Sequence, residues 1–189
     1  MVLGHDPDGK TLGILGMGGI GSAFALRAAT FGFDMQYHNR NPVVHPSSNP
    51  TNARYVSFDA LLRTSDVISI HLPLNHATRG MIGRKEFRKM KAGVVIVNTA
   101  RGKIIDEDAL VEALERDKVF AAGLDVYEKE PEIHPALIKS DKVVLMPHVG
   151  TATVETQRKM ELLVIDNVRN VLQRGSLLTP VVESRKSRL

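Results

Sequence analysis

Arg101, Glu130 and His148 each follow a short apolar run, and their side chains are of the types that work on a carbonyl. Arg101 comes just after Val94–Asn98, in the segment NTARG. Glu130 lies directly before Pro131, in the loop after Ala121–Val126, a run whose end carries Asp125. His148 follows Lys142–Met146, in PHVG. Singly, each has an ordinary reading: a surface cation, a loop charge, a polar residue beside a turn. Together they fit hydride transfer to a carbonyl. Such a transfer needs a proton donor for the alkoxide that develops, and a histidine paired with a carboxylate suits that task. An arginine can hold a substrate carboxylate through two parallel hydrogen bonds and so fix its orientation.

Residues so far apart in sequence meet only if a sheet brings their strand ends to one edge. Strand and helix signals alternate along the chain. Strands are predicted at Thr11–Leu15, Asp34–Asn39, Tyr55-Val56, Asp66–Leu72, Val94–Asn98, Ala121–Val126 and Lys142–Met146. Helices are predicted from about Gly19 to Phe31, at Asp59–Arg63, from Asp106 to about Arg116, and over roughly Ala152–Arg174. Met160, Val164, Val168 and Val171 form the stripe of the last helix, and Gly175 ends it. Asn41–Asn52, with three prolines, is predicted to be a surface loop. The alternation predicts an α/β chain with a doubly wound parallel sheet of Rossmann type, in three layers α/β/α. In such sheets ligands bind beyond the C-terminal strand ends.

The loop between the first strand and first helix is Gly16-Met17-Gly18-Gly19-Ile20-Gly21. Glycines at this spacing permit a tight turn, the approach of a pyrophosphate, and close packing of helix on strand. The helix N-terminus presents free N–H groups to the phosphates. A strand before, a helix after and a second strand beyond are the context that this motif needs.

Composition narrows the rest. A chain of 189 residues, 43% hydrophobic, suits one domain or slightly more. With no cysteine, disulfides and thiolate metal sites are excluded, and no metal is expected. No apolar run reaches transmembrane length, so no membrane partner is expected. The opening Met1-Val2-Leu3-Gly4-His5 lacks the pattern of a secretory signal, and a cytoplasmic location is expected. The net charge is +4, and the densest basic run is Arg84–Lys91. That run is expected to be a solvated helix face flanking Phe87 and Met90, since nucleic-acid binding would need a broader basic stripe. The positive balance can attract an anionic cofactor and a carboxylate substrate.

Five segments carry a resemblance: GMGGIG (16–21), DVISIHLPLNHATRGMIG (66–83), NTARG (98–102), GLDVYEKEP (123–131) and PHVGTATVET (147–156). In this order they resemble the D-isomer-specific 2-hydroxyacid dehydrogenases, and most of all the glyoxylate/hydroxypyruvate reductase branch. The resemblance implies that Arg101 binds the substrate carboxylate and carbonyl oxygen. It makes His148 the general acid in reduction and the general base in oxidation, with Glu130 hydrogen-bonding and orienting it. Glu128 competes locally for that place, but the family's acid sits directly before the proline. Gly16, Gly18, Gly19, Ile20 and Gly21 would hold the pyrophosphate, Gly19 and Ile20 through their N–H groups. Leu72, Pro73 and Thr78 would line the adenine and ribose side. Thr99, Ala100, Asp125 and Gly150 would border the nicotinamide, beside Arg101 and His148, with Asp125 taking the carboxamide.

Asn39 stands where NAD enzymes usually carry an Asp or Glu that accepts hydrogen bonds from the ribose hydroxyls, and Arg40 follows it. A neutral side chain with a cation next to it accommodates a 2′-phosphate that a carboxylate would repel, so NADP(H) is expected over NAD(H). The alternative is that Arg40 merely begins the surface loop.

The family has two domains, and its substrate domain comes mainly from an N-terminal segment. Residues 1–175 are therefore expected to be the dinucleotide-binding domain and residues 176–189 a tail belonging to a substrate domain whose N-terminal part is missing. The function expected is reduction of a small 2-oxo acid, glyoxylate or hydroxypyruvate, to the 2-hydroxy acid. The alternative is a cofactor-binding module without turnover. The resemblance also implies a homodimer. Ser187-Arg188-Leu189 resembles a peroxisomal C-terminal address of the S-K-L type, the alternative being an ordinary basic tail.

Overall fold

Short runs of residues, mostly apolar in all but Asp34–His38 and Arg54–Tyr55, become strands in the computed structural model, which describes residues 3–44, 51 and 53–181. They are β1 (Thr11–Leu15), β2 (Asp34–His38), β3 (Arg54–Tyr55), β4 (Val67–Ile70), β5 (Val94–Asn98), β6 (Val119–Leu124) and β7 (Val143–Leu145). All neighbours pair in parallel, in the order β3-β2-β1-β4-β5-β6-β7. The register aligns their C-terminal ends. Leu15 sits opposite His38 and Ile70, Ile70 opposite Asn98, Asn98 opposite Leu124, and Leu124 opposite Leu145. Gly16, His71, Thr99, Asp125 and Met146 therefore emerge along one edge. The strand order reverses between β1 and β4, the place where open α/β sheets form their ligand crevice.

The helices are α1 (Gly19–Ala28, extended by a 3₁₀ turn to Phe31), α2 (Phe58–Thr64), α3 (Arg84–Lys89), α4 (Glu107–Glu115), α5 (Pro135–Lys139) and α6 (Val154–Arg174). Alternation along β1 distributes its side chains to two cores. Leu12 and Ile14 pack with Ala25 and Ala28 of α1. Leu15 joins Leu61 and Leu62 of α2, Phe87 of α3, Leu110 of α4 and Leu137 of α5. The sheet is thus covered on both faces, giving the three layers expected. The basic run of α3 is the solvated face of a helix whose Phe87, like Met90 beyond it, is only 3% exposed.

Some boundaries differ from those predicted. β6 runs from Val119 to Leu124, not over Ala121–Val126, because Val119 pairs with Val94 and the register then shifts at Val94/Val95. Asp125 consequently lies beyond the strand end. β4 stops at Ile70, leaving Leu72 in the loop that follows, and Asp66 precedes it, accepting the Thr11 N–H at 2.9 Å and pairing with Lys91 at 2.8 Å. α5 was not predicted. Pro135 occupies its first turn, His134 Nδ1 accepts the Ala136 N–H at 3.2 Å, and Leu137 is fully buried.

The chain divides into two compact units, one ending at His148 and the other beginning at Val149. In the second, Thr153 caps α6 by accepting the Thr156 N–H at 3.2 Å, and Gly175 ends it with φ +67°. Asn167 folds the following segment back along the helix, accepting the N–H groups of Leu178 and Thr179 at 3.0 and 3.1 Å. No residue of α6 is buried, and its stripe of Met160, Val164, Val168 and Val171 is exposed. Among the described residues, no helix is long and apolar enough to cross a membrane, and no cluster of potential metal ligands occurs. Most of the predicted 41–52 loop and the tripeptide 187–189 lie outside the described residues.

Candidate functional site

Two glycines of the 16–21 loop are required by the protein itself. Gly16 has φ +104°, and a Cβ there would sit 2.9 Å from the His71 carbonyl. A Cβ on Gly21 would come 2.1 Å from the Gly16 oxygen, so only glycine lets α1 start this close to β1. Gly18 and Gly19 differ, since a Cβ on either would meet nothing within 4 Å. Their surroundings are open space. No side chain caps α1 and no acid lies in its first turn, which leaves its leading N–H groups directed outward.

A cleft of about 430 Å³ adjoins this loop, lined by Gly16, Gly18, His38, Asn39, Arg40, His71, Leu72, Pro73 and Thr78 among others. Asn39 does not extend across it. Its Oδ1 accepts the Met17 N–H at 2.7 Å and its Nδ2 donates to the Met17 carbonyl at 3.3 Å, so it clamps the glycine loop. Arg40 is exposed at the cleft's rim. The Thr78 hydroxyl donates to the Pro73 carbonyl at 2.6 Å and shapes the loop that carries Leu72 and Pro73.

His71 was not singled out from the sequence. Its Nε2 lies 2.9 Å from Ser69 Oγ and its ring 4.9 Å from that of Phe24. Burial pushes the imidazole down to about 4 from an ordinary 6.5. Between these values the unfolded chain binds the proton and the folded chain does not. The stabilisation from a neutral His71 is thus complete above pH 6.5 and is lost as pH falls toward 4. A displacement of this size corresponds to roughly 3 kcal/mol. Urea unfolding midpoints measured from pH 7 to pH 4 should fall accordingly, and His71→Gln should flatten that dependence. An equally steep curve in the variant would assign the effect elsewhere.

Further along the same sheet edge, Asn98 organises the segment after β5. It is 1% exposed, its Nδ2 donates to the Arg101 carbonyl at 3.0 Å, and its Oδ1 accepts the Ala100 N–H at 3.1 Å. Thr99 and Arg101 are exposed, and an Arg101 Nη1 donates to the Ala100 carbonyl at 2.6 Å. Buried Asp125 donates its backbone N–H to the Asn98 carbonyl at 3.1 Å, tying the ends of β5 and β6. Gly102 fits directly under the Tyr127 carbonyl, where a Cβ would be 1.9 Å from the carbonyl carbon. The segment carrying Arg101 and the loop leading to Glu130 are therefore in direct backbone contact.

Glu130 and His148 form a hydrogen-bonded pair. His148 Nδ1 lies 2.8 Å from Glu130 Oε2, while Glu130 Oε1 accepts the Tyr127 N–H at 3.0 Å. A carboxylate can only accept, so the imidazole proton sits on Nδ1 and Nε2 is left for another partner. His148 has φ +56°, in the left-handed region that histidine tolerates better than most residues. The hydrogen bond from His148, the Tyr127 N–H and the nearby Arg101 guanidinium hold the Glu130 carboxyl below the usual carboxylate range. Glu128 makes no such pair; its N–H is held by Glu107 instead. Gly150 belongs to the second unit. Asn98, Tyr127 and Glu107 were not identified as site residues from the sequence. Asn98 could have been noticed as the buried first residue of NTARG.

A parallel sheet with a strand-order reversal and a glycine loop opening a helix at that point defines a Rossmann-type dinucleotide-binding domain. Residues 1–150 match the family model described as D-isomer specific 2-hydroxyacid dehydrogenase, NAD binding domain. The chain belongs to that family. It is 56% identical, over 97% of its length and 55% of the relative's, to 4-methyl-2-oxopentanoate reductase A of Aspergillus oryzae. Its structure is similar to that of a glyoxylate reductase from Paecilomyes thermophila, with TM-score 0.93 and 58% identity, covering 97% of this chain and 55% of that one. It is also similar to an NADPH-dependent glyoxylate/hydroxypyruvate reductase from Sinorhizobium meliloti in complex with NADP and malonate, with TM-score 0.88 and 34% identity over 93% and 54% of the two chains. The chain spans about half the length of the relatives it matches.

Proposed function

We propose that the protein reduces a small 2-oxo acid, glyoxylate or hydroxypyruvate, to the 2-hydroxy acid with NADPH preferred over NADH. The observation that carries this reading is the Glu130–His148 pair, 2.8 Å apart and beside Arg101, on the same sheet edge as the glycine loop. The glycine loop suits a dinucleotide. Gly18 and Gly19 leave open space where side chains would stand, and the uncapped end of α1 favours anionic oxygens. Gly18 to Gly21 would hold the pyrophosphate, Leu72, Pro73 and Thr78 the adenosine side, and Thr99, Ala100 and Asp125 the nicotinamide. When bound, the nicotinamide supplies the hydride. Arg101 binds the substrate carboxylate and turns the carbonyl toward His148. His148 Nε2 delivers the proton to the carbonyl oxygen, and Glu130, bonded to Nδ1, keeps the ring oriented.

The preference for NADPH rests on Asn39 and Arg40. Because Asn39 is engaged with Met17, Arg40 is the group left to meet a 2′-phosphate. Losing one charge-assisted contact costs about tenfold to a hundredfold. Arg40→Ala should raise the KM for NADPH by that factor and leave the KM for NADH nearly unchanged. Equal effects on both would overturn the preference. The test of the whole reading is NADPH oxidation by the purified chain with glyoxylate, hydroxypyruvate and 4-methyl-2-oxopentanoate. Turnover with either of the first two supports it, and turnover with the third alone changes the substrate.

A second reading is a dinucleotide-binding module without turnover. It is favoured by the exposure of the pair, whose side chains are 52% (His148) and 36% (Glu130) accessible, so water reaches the atoms that would react. Binding of NADPH without oxidation in the presence of all three acids would support it.

A further inference from the structure

Glu107 is a buried carboxylate at the start of α4, 8% exposed, with no part in the chemistry above. Asp106, not Glu107, caps the helix, accepting the Ala109 N–H at 3.0 Å. Glu107 turns away from that task. Its Oε1 accepts the backbone N–H of Glu128 at 2.6 Å, across 21 residues of sequence. Burial pushes this carboxyl up, so it is retained at a cost that its single backbone contact must help offset.

The contact falls on a short, heavily constrained segment. The Tyr127 carbonyl lies over Gly102, and the Tyr127 N–H is donated to Glu130 Oε1 at 3.0 Å. The Tyr127 hydroxyl donates to the Leu124 carbonyl at 3.2 Å and the Met146 carbonyl at 2.7 Å, two residues before His148. Tyr127 therefore touches both sides of the pair, Glu130 through its N–H and the strand end before His148 through its hydroxyl, and the next peptide along, at Glu128, is the one that Glu107 holds. The acceptor at the Glu128 N–H is an ionisable side chain that reaches this segment from another element, α4.

We infer that Glu107 is a positioning residue: by holding the Glu128 N–H it fixes the Tyr127–Glu130 loop and thereby the Nδ1-protonated tautomer of His148. This deepens the reductase reading, since it names what orients the proton-carrying ring. Losing the acceptor frees the peptide, lets Glu130 swing away from His148, and returns a neutral ring toward the Nε2-protonated form that an unpaired imidazole prefers.

The test compares Glu107→Ala, Glu107→Asp and Glu107→Gln with the parent chain. At alkaline pH, where imidazoles are neutral, long-range ¹H–¹⁵N correlation reports the His148 tautomer without requiring turnover. The parent should show Nδ1–H, the Ala variant a shift toward Nε2–H, and the Gln variant, which keeps an acceptor, the parent pattern. Should the Ala variant fail to fold, Glu107→Asp, whose acceptor is withdrawn by one methylene, should show the same shift in part. In the reductase assay, kcat should fall about tenfold to a hundredfold in the Ala variant with the NADPH KM little changed, and Gln should restore it. An unchanged tautomer in folded Ala or Asp variants, or failure of Gln to restore it, overturns the inference. A tautomer shift in a chain that never turns over leaves the inference standing and defeats the reductase reading instead.

Discussion

His148→Ala should reduce NADPH-dependent turnover by about 10²- to 10⁴-fold while leaving NADPH affinity near that of the parent chain. The size of the loss follows from the division of labour. The cleft proposed for the cofactor is lined by residues of the glycine loop, Asn39, Arg40 and the Leu72–Thr78 loop, and His148 is not among the residues that line it. What His148 offers is an Nε2 left free because Nδ1 is given to Glu130 at 2.8 Å. On the proposed reading, removing the ring removes the proton donor for the developing alkoxide and none of the groups assigned to the phosphates. Steady-state kinetics with a parallel binding titration separates the two. A variant retaining parental kcat would show that the proton comes from elsewhere, and one that lost NADPH binding would place His148 in the cleft.

Gly102→Ala should cost roughly 3 kcal/mol of stability, at the upper end for overpacking, and should impair turnover with it. A Cβ at this position would lie 1.9 Å from the Tyr127 carbonyl carbon, 2.0 Å from its oxygen and 2.5 Å from the Glu128 nitrogen. These are backbone atoms, so no side chain can rotate aside. The Tyr127–Glu128 peptide would have to move; its N–H is held by Glu107, and the preceding Tyr127 N–H is the one donated to Glu130. Urea unfolding checks the stability, and the reductase assay checks the site. Parental values in both would mean that the loop yields freely.

The centre of the sheet was legible because β1, β4, β5, β6 and β7 are short, mostly apolar runs, and parallel strands covered on both faces need no polar alternation. Strand ends were less legible. β6 begins at Val119 because pairing with β5 shifts register at Val94/Val95, a property of two strands together. α5 is five residues long, too short for helical periodicity, and is held mainly by Leu137 in the core. At the site, Arg101, Glu130 and His148 could be picked out because they stand at strand ends as residues with evident chemistry. Asn39 was recognised as the slot for a ribose contact, whereas its hold on Met17 depends on how the loop returns over β2. Glu107 follows the Asp106 at which the sequence places a helix start, and nothing in its type or position marks it further. Its burial and its reach to Glu128 arise only when the 127–130 loop folds back onto α4.

The most direct test of the account is titration of NADPH into the purified chain with the backbone amides observed by NMR. One-to-one saturable binding is predicted, with the amides of Gly18 to Gly21 and Arg40 shifting together. Absence of saturable binding, or binding that leaves those amides unmoved, would contradict the assignment of the glycine loop as a dinucleotide site.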